Sequence, residues 1–114
     1  MYQYKAQVIR VVDGDTFEAL VDLGFNVRAR IMFRVNDLDT PEIYRPKSAG
    51  ELEHARRASA FAKSVLSEGS WVIVDSTKSE IYSRWAANVT LPDGRDFATV
   101  MKENGYEKLK SYDA

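Results

Sequence analysis

Phe25-Asn26-Val27-Arg28-Ala29-Arg30-Ile31-Met32-Phe33-Arg34-Val35-Asn36 is the stretch whose reading decides the fold. Phe25, Val27, Ala29, Ile31, Phe33 and Val35 alternate with Asn26, Arg28, Arg30, Met32, Arg34 and Asn36. Period two sustained over residues 25–36 predicts one long strand with a single buried face. The alternation fails at Asp37-Leu38-Asp39, and Thr40-Pro41 forces the chain out of the sheet, because proline offers no ladder donor and restricts the residue before it. Arg34 is therefore expected near a strand end, just ahead of a carboxylate-rich loop.

Upstream, residues 4–12 (YKAQVIRVV) and 17–23 read as two strands joined at Asp13-Gly14-Asp15-Thr16, a first hairpin. Downstream, residues 43–50 read as an irregular basic loop, and from Glu51 to Leu66 the period becomes helical. Ala55, Ala58, Phe61, Ala62, Val65 and Leu66 share a stripe, Glu53, Arg56, Arg57 and Lys63 lie off it, and Gly69 is placed to stop the helix. Trp71–Asp75 and Trp85–Leu91 read as further strands, Pro92-Asp93-Gly94 as a turn, and Asp96 as the cap of a short helix running toward Gly105. The last nine residues are polar and suggest no element. With no repeat or linker, residues 1–114 read as a single domain. The expected class is α+β, mainly β: a small five-stranded Greek-key barrel of the oligonucleotide-binding (OB) type, a helix between strands three and four, and a short C-terminal helix.

The composition narrows the chemistry. In 114 residues there is no Cys, which removes disulfides, thiolate zinc sites and cysteine nucleophiles, and one His, which excludes any mechanism needing a histidine pair. No apolar run is long enough to span a bilayer, and residues 1–10 carry charge where a signal peptide needs an apolar stretch, so the expectation is a cytoplasmic protein or the mature form of an exported one. The net charge of −1 argues against gripping polyanions by bulk electrostatics. It conceals an uneven distribution: residues 27–63 hold eight bases against five acids, while the segments on either side are net acidic.

Asp15 in the first turn, with Asp39 and Glu42 after the third strand, are oxygen donors suited to a hard cation, and Thr40 adds a carbonyl or hydroxyl. Taken singly, Asp15 is an ordinary hairpin residue and Asp-Thr-Pro-Glu an ordinary helix opening. Arg34 changes the reading, since an arginine beside a dication offers a planar fork to a phosphate, although it also serves to neutralise the acids. Tyr44, Arg45 and Lys47 suit contact with a nucleic-acid strand. Arg28 and Arg30 read as a solvated strand face, with backbone contact the functional alternative; His54, Trp71 and Trp85 read as structural.

Taken together, Asp13-Gly14-Asp15-Thr16, Arg34, Asp39-Thr40-Pro41-Glu42, Ala58-Ser59-Ala60-Phe61 and Tyr82-Ser83-Arg84 resemble, in order and spacing over roughly residues 5–110, the staphylococcal (micrococcal, thermonuclease) nuclease family. The resemblance implies the OB barrel and a calcium-dependent phosphodiesterase, a monomer acting on single- and double-stranded DNA and RNA with little sequence specificity and leaving 3′-phosphate ends. It implies Asp15 and Asp39 as metal ligands with the Thr40 carbonyl, Glu42 as catalytic glutamate, Arg34 and Arg84 as catalytic arginines, and Tyr82 as a substrate-phosphate contact; other divalent metals are compatible with the donor set. The chain departs from the family at Ser83, where a glycine is usual, and near Tyr112, where the family's aromatics fall about one residue away. A catalytically silent OB-fold nucleic-acid-binding module is the alternative, and a calcium-binding structural module a third reading that leaves Arg34 unexplained.

Overall fold

In a computed structural model, which describes residues 2–79 and 84–112, the elements run β1 (Tyr2–Asp13), β2 (Thr16–Asp22), β3 (Arg28–Val35), α1 (Ala49–Val65), β4 (Trp71–Ser79), β5 (Arg84–Thr90) and α2 (Phe97–Glu103). The strands close into a barrel in the order β1-β2-β3-β5-β4. Every neighbouring pair is antiparallel except β3 with β5, and α1 makes the crossover between the two halves. This is the expected five-stranded α+β barrel with its helix between the third and fourth strands.

Alternation builds the interior. Val8, Phe17, Ala19, Val21, Phe33, Val35, Val74 and Val89 are at most 2% exposed, and the Phe17 and Phe33 rings stack at 5.6 Å between centroids. Because Phe33 and Val35 point inward, Arg34 points to the outer face. Truncating a fully buried phenylalanine of this kind costs about 3–5 kcal/mol.

The third strand is shorter than its periodicity. It begins at Arg28, and the three residues Gly24, Phe25 and Asn26 all have positive φ (82°, 54° and 61°). The Val27 N–H donates to the Gly24 carbonyl at 2.9 Å, closing a turn of the mirror-image type that matches strand twist. Phe25 is 100% exposed and Val27 is also exposed, so neither belongs to the buried face. Polar/apolar alternation continues through the turn because it carries no information on the sign of φ.

Helix α1 begins two residues earlier than its stripe, capped by Ser48, whose hydroxyl accepts from the Glu51 N–H at 3.1 Å. It ends at the cap Leu66, so Gly69 does not stop it; Gly69 lies in the following turn, its N–H donating to Val8 O. Asp96 caps α2 as expected, accepting from the Thr99 N–H at 3.1 Å. Trp71 and Trp85, expected in the core, are each more than two-fifths exposed. Trp71 alternates with inward-facing Val72 and Val74, whereas Trp85 lies opposite Phe33 and lines an open apolar pocket with Tyr4, Val21, Leu23 and Ile31. Among the described residues no helix is long and apolar enough to cross a membrane.

Candidate active site

The site is assembled at the end of β3. The β1–β2 turn brings Asp15 against it: Val35 N–H donates to the Asp15 carbonyl at 2.9 Å, and Thr40 N–H donates to Asp15 Oδ2 at 3.0 Å. Close approach depends on Gly14, where a Cβ would fall 2.9 Å from Thr40 Cγ2. Asp15 and Thr40 are buried, at 7% and 1% exposure. A solvated hairpin residue would show none of this.

Arg34 is anchored by its own loop. Its Nη1 donates to the Val35 carbonyl at 2.9 Å and also to the Leu38 carbonyl. That leaves Nη2 facing two carboxylates, Asp15 Oδ2 at 3.5 Å and Asp39 Oδ1 at 3.6 Å. Asp15, Asp39, Thr40 and Arg34 are thus brought together. Asp39 remains largely exposed, and beside it a cleft of about 380 Å³ is lined by Arg34, Asp37, Leu38, Asp39 and Glu107.

Arg84 opens β5 opposite Met32, two pairs from Arg34 and Ala86, so it faces the same outer side as Arg34. Its Nε is buried and has no hydrogen-bond partner among the described residues. Glu42 is exposed, as are Tyr44, Arg45 and Lys47 on the same loop. Tyr82 and Ser83 lie outside the described residues.

Sequence reasoning missed two carboxylates. Asp13, across the turn from Asp15, has a buried Oδ1 with no partner among the described residues. Burial, then the charge of Asp15, with Glu42 adding to both, pushes its carboxyl up to about 6 against the lowering effects of the Ile43 N–H and Arg34. The signal was present in the repeated aspartate flanking Gly14. The second is Glu51, 1% exposed. It accepts from the Lys47 N–H at 2.9 Å and, at the limit of a hydrogen bond, from the Glu42 N–H at 3.5 Å, and it pairs with Lys108 Nζ at 3.5 Å. These hydrogen bonds, the Lys47 N–H foremost, hold the Glu51 carboxyl below its usual range. Nothing in its helical spacing announced that role.

The C-terminal residues complete the clamp. Lys108 N–H donates to the Asp39 carbonyl at 2.7 Å. His54, 7% exposed, holds the tail as a structural residue: its Nε2 donates to the Gly105 carbonyl at 2.8 Å, and its Nδ1 shares a hydrogen bond with the Tyr112 hydroxyl at 2.7 Å. Tyr112 is therefore engaged with α1 and takes an N–H from Leu109 as well.

Hard oxygen donors, crowded negative charge, and an Asp13 Oδ1 and a Thr40 Oγ1 without partners among the described residues suit a divalent cation. Among the described residues no three acids or histidines converge tightly enough to enclose one as the side chains stand. Instead, Arg34 supplies the positive charge shared by Asp15 and Asp39.

A search of curated proteins found no match. A sequence model of one family, staphylococcal nuclease homologue, matches residues 32–114, a span that holds Arg34, Asp39, Thr40, Glu42 and Arg84 and excludes the Asp15 turn. Since that match takes in well over half of the chain and the barrel has the family's form, the protein belongs to the staphylococcal nuclease homologues.

Proposed function

We propose that the protein is a metal-dependent phosphodiesterase that hydrolyses DNA and RNA with little sequence specificity, calcium being the preferred ion and 3′-phosphate ends the product. The observation that carries this reading is Arg34, fixed by two backbone carbonyls with its remaining edge presented to Asp15 and Asp39 at one strand end. Asp15, Asp39 and the Thr40 carbonyl would hold the ion, with Asp13 close enough to feel the same charge. When bound, the ion supplies positive charge to the scissile phosphate and acidity to its water.

The remaining work falls to this chain's own groups. Arg34 offers hydrogen bonds to a phosphate oxygen where the pentacoordinate transition state gathers negative charge, and Arg84, its Nε without a partner among the described residues, offers a second cation on the same face. Glu42, exposed at the start of the loop, accepts or orients the proton of the attacking water. Glu51 holds the loop that aims Glu42. Tyr82, Tyr44, Arg45 and Lys47 complete the proposed strand contacts.

The second reading, a catalytically silent OB-fold binder, is favoured by one observation: Arg34 already pairs with both aspartates without any ion. Incubation of the purified chain with single-stranded DNA and with RNA, in calcium, manganese, magnesium and chelator, separates the two. Cleavage that requires metal and leaves 3′-phosphate ends is expected; binding without cleavage in all three ions would overturn the enzyme reading.

A further inference from the structure

The outer face of β3 continues away from the candidate site. Beyond Arg34 and Met32, the outward positions are Arg30 and Arg28, with Leu20 and Asp22 opposite them on β2. Glu18 lies opposite Met32, and Arg10 of β1 lies opposite Glu18. The Glu18 carboxylate, 13% exposed, accepts from Arg10 Nε at 3.0 Å and pairs with Arg30 Nε at 3.9 Å, while those arginine side chains stay 55% and 67% exposed. One nearly buried acid therefore holds two cations in place and leaves much of each guanidinium side chain open to solvent. Arg28 is exposed and has no ion pair among the described residues.

At the tip of this hairpin stands Phe25, wholly exposed and held at φ 54°, a conformation that a bulky side chain adopts at a cost and that no burial of the ring repays. None of these residues takes part in the hydrolytic arrangement around Arg34.

We propose that this face is a track for a single-stranded polynucleotide: Arg30, Arg28 and Arg10 take phosphates beyond the one at Arg34, and Phe25 stacks a base at the far end. The proposal rests on the nucleic-acid reading of the site. Outward residues on a strand recur about every 6.6 Å, a repeat close to that of an extended nucleotide backbone, so successive arginines meet successive phosphates. A protruding aromatic stacks on an unpaired base and not on one already stacked in a duplex, which selects single strands. Charge complementarity favours a polyanion over a second copy of this chain.

The test is fluorescence anisotropy with the Glu42→Gln chain in calcium, against labelled single-stranded DNA of about three and about twelve nucleotides, the longer within the usual range for such barrels. Adding Arg28→Ala with Arg30→Ala should weaken the longer strand about tenfold or more and flatten its log–log salt dependence by about 1.4, two phosphates at ~0.7 each. Adding Phe25→Asn instead should weaken it about fivefold or more. Neither change should alter affinity for the shorter strand. Unchanged affinity and slope for the longer strand, or equal losses on both, would overturn the track. So would intact strand binding with vesicle binding or self-association that disappears in Phe25→Asn. If the variants behave as expected while the wild type cleaves in no metal, the track stands and the hydrolase reading falls; if the wild type cleaves and the variants match it on long strands, the track alone falls.

Discussion

Asp13 and Glu51 are carboxylates on opposite sides of one loop, and the chain treats them in opposite ways. Glu51 collects two backbone N–H groups and a lysine, and its acidity is strengthened. Asp13 is left with a buried, unpartnered oxygen among like charges, and its acidity is weakened to about 6. The same loop is thus tied firmly at its Glu51 end and left electrostatically unsatisfied at the end where Asp15 and Asp39 share Arg34. A structural acid is satisfied within the fold. Asp13, short of such partners, is the acid that the proposed ion would satisfy.

The largest effect that sharpens this contrast is expected from Arg34→Ala. Turnover on single-stranded DNA should fall by at least about two orders of magnitude, and urea unfolding should show a loss of about 1–3 kcal/mol, because Asp15 is left buried without its partner. Retained turnover would remove Arg34 from the chemistry.

Glu51→Gln should lower turnover about tenfold by loosening the loop that carries Glu42, with a lower melting temperature. Its stability effect has a definite pH signature. Because the folded-state pKa is depressed, the contribution of Glu51 is present above the unfolded value near 4.5 and is lost as pH falls through the folded value, so wild type and variant should converge in acid. A gap that stays constant down to that range would contradict the clamp.

Asp13 should behave with the reverse sign. Its folded pKa lies above the usual 3.8, so it opposes folding progressively as pH rises from about 4 to about 6. In chelator, Asp13→Asn should therefore stabilise the chain at pH 7 by on the order of 1 kcal/mol after allowance for solvent screening, and flatten the stability profile over that window. A destabilised variant would mean that the carboxylate is satisfied after all. Smallest of all, Phe25→Asn should gain roughly 0.5–1 kcal/mol in thermal or urea unfolding, since asparagine tolerates positive φ where phenylalanine is strained.

Much of the barrel was legible because burial writes itself as period: Phe33 and Val35 inward, Arg34 outward, Ala55 to Leu66 on one helical stripe. The same rule fails where conformation departs from it. Phe25 and Val27 extend the alternation into a turn, and Trp71 and Trp85 are apolar residues at places the sheet leaves uncovered. The meeting of Asp15, Asp39 and Thr40 with Arg34 was readable because these residues sit at breaks between strands. Asp13 and Glu51 were not, since what distinguishes them is how many N–H groups reach each carboxylate, and that depends on tertiary packing. The tail behaved likewise: Lys108 and Tyr112 have no periodic signal, yet they tie Asp39 and His54.

The most direct trial of the account is the rate of single-stranded DNA cleavage in calcium by the wild-type chain and by Glu42→Gln, measured side by side at saturating substrate. A loss of at least about 10²-fold is predicted, the lower range for removing a positioned general base. Equal rates would contradict the assignment of chemistry to this corner of the barrel.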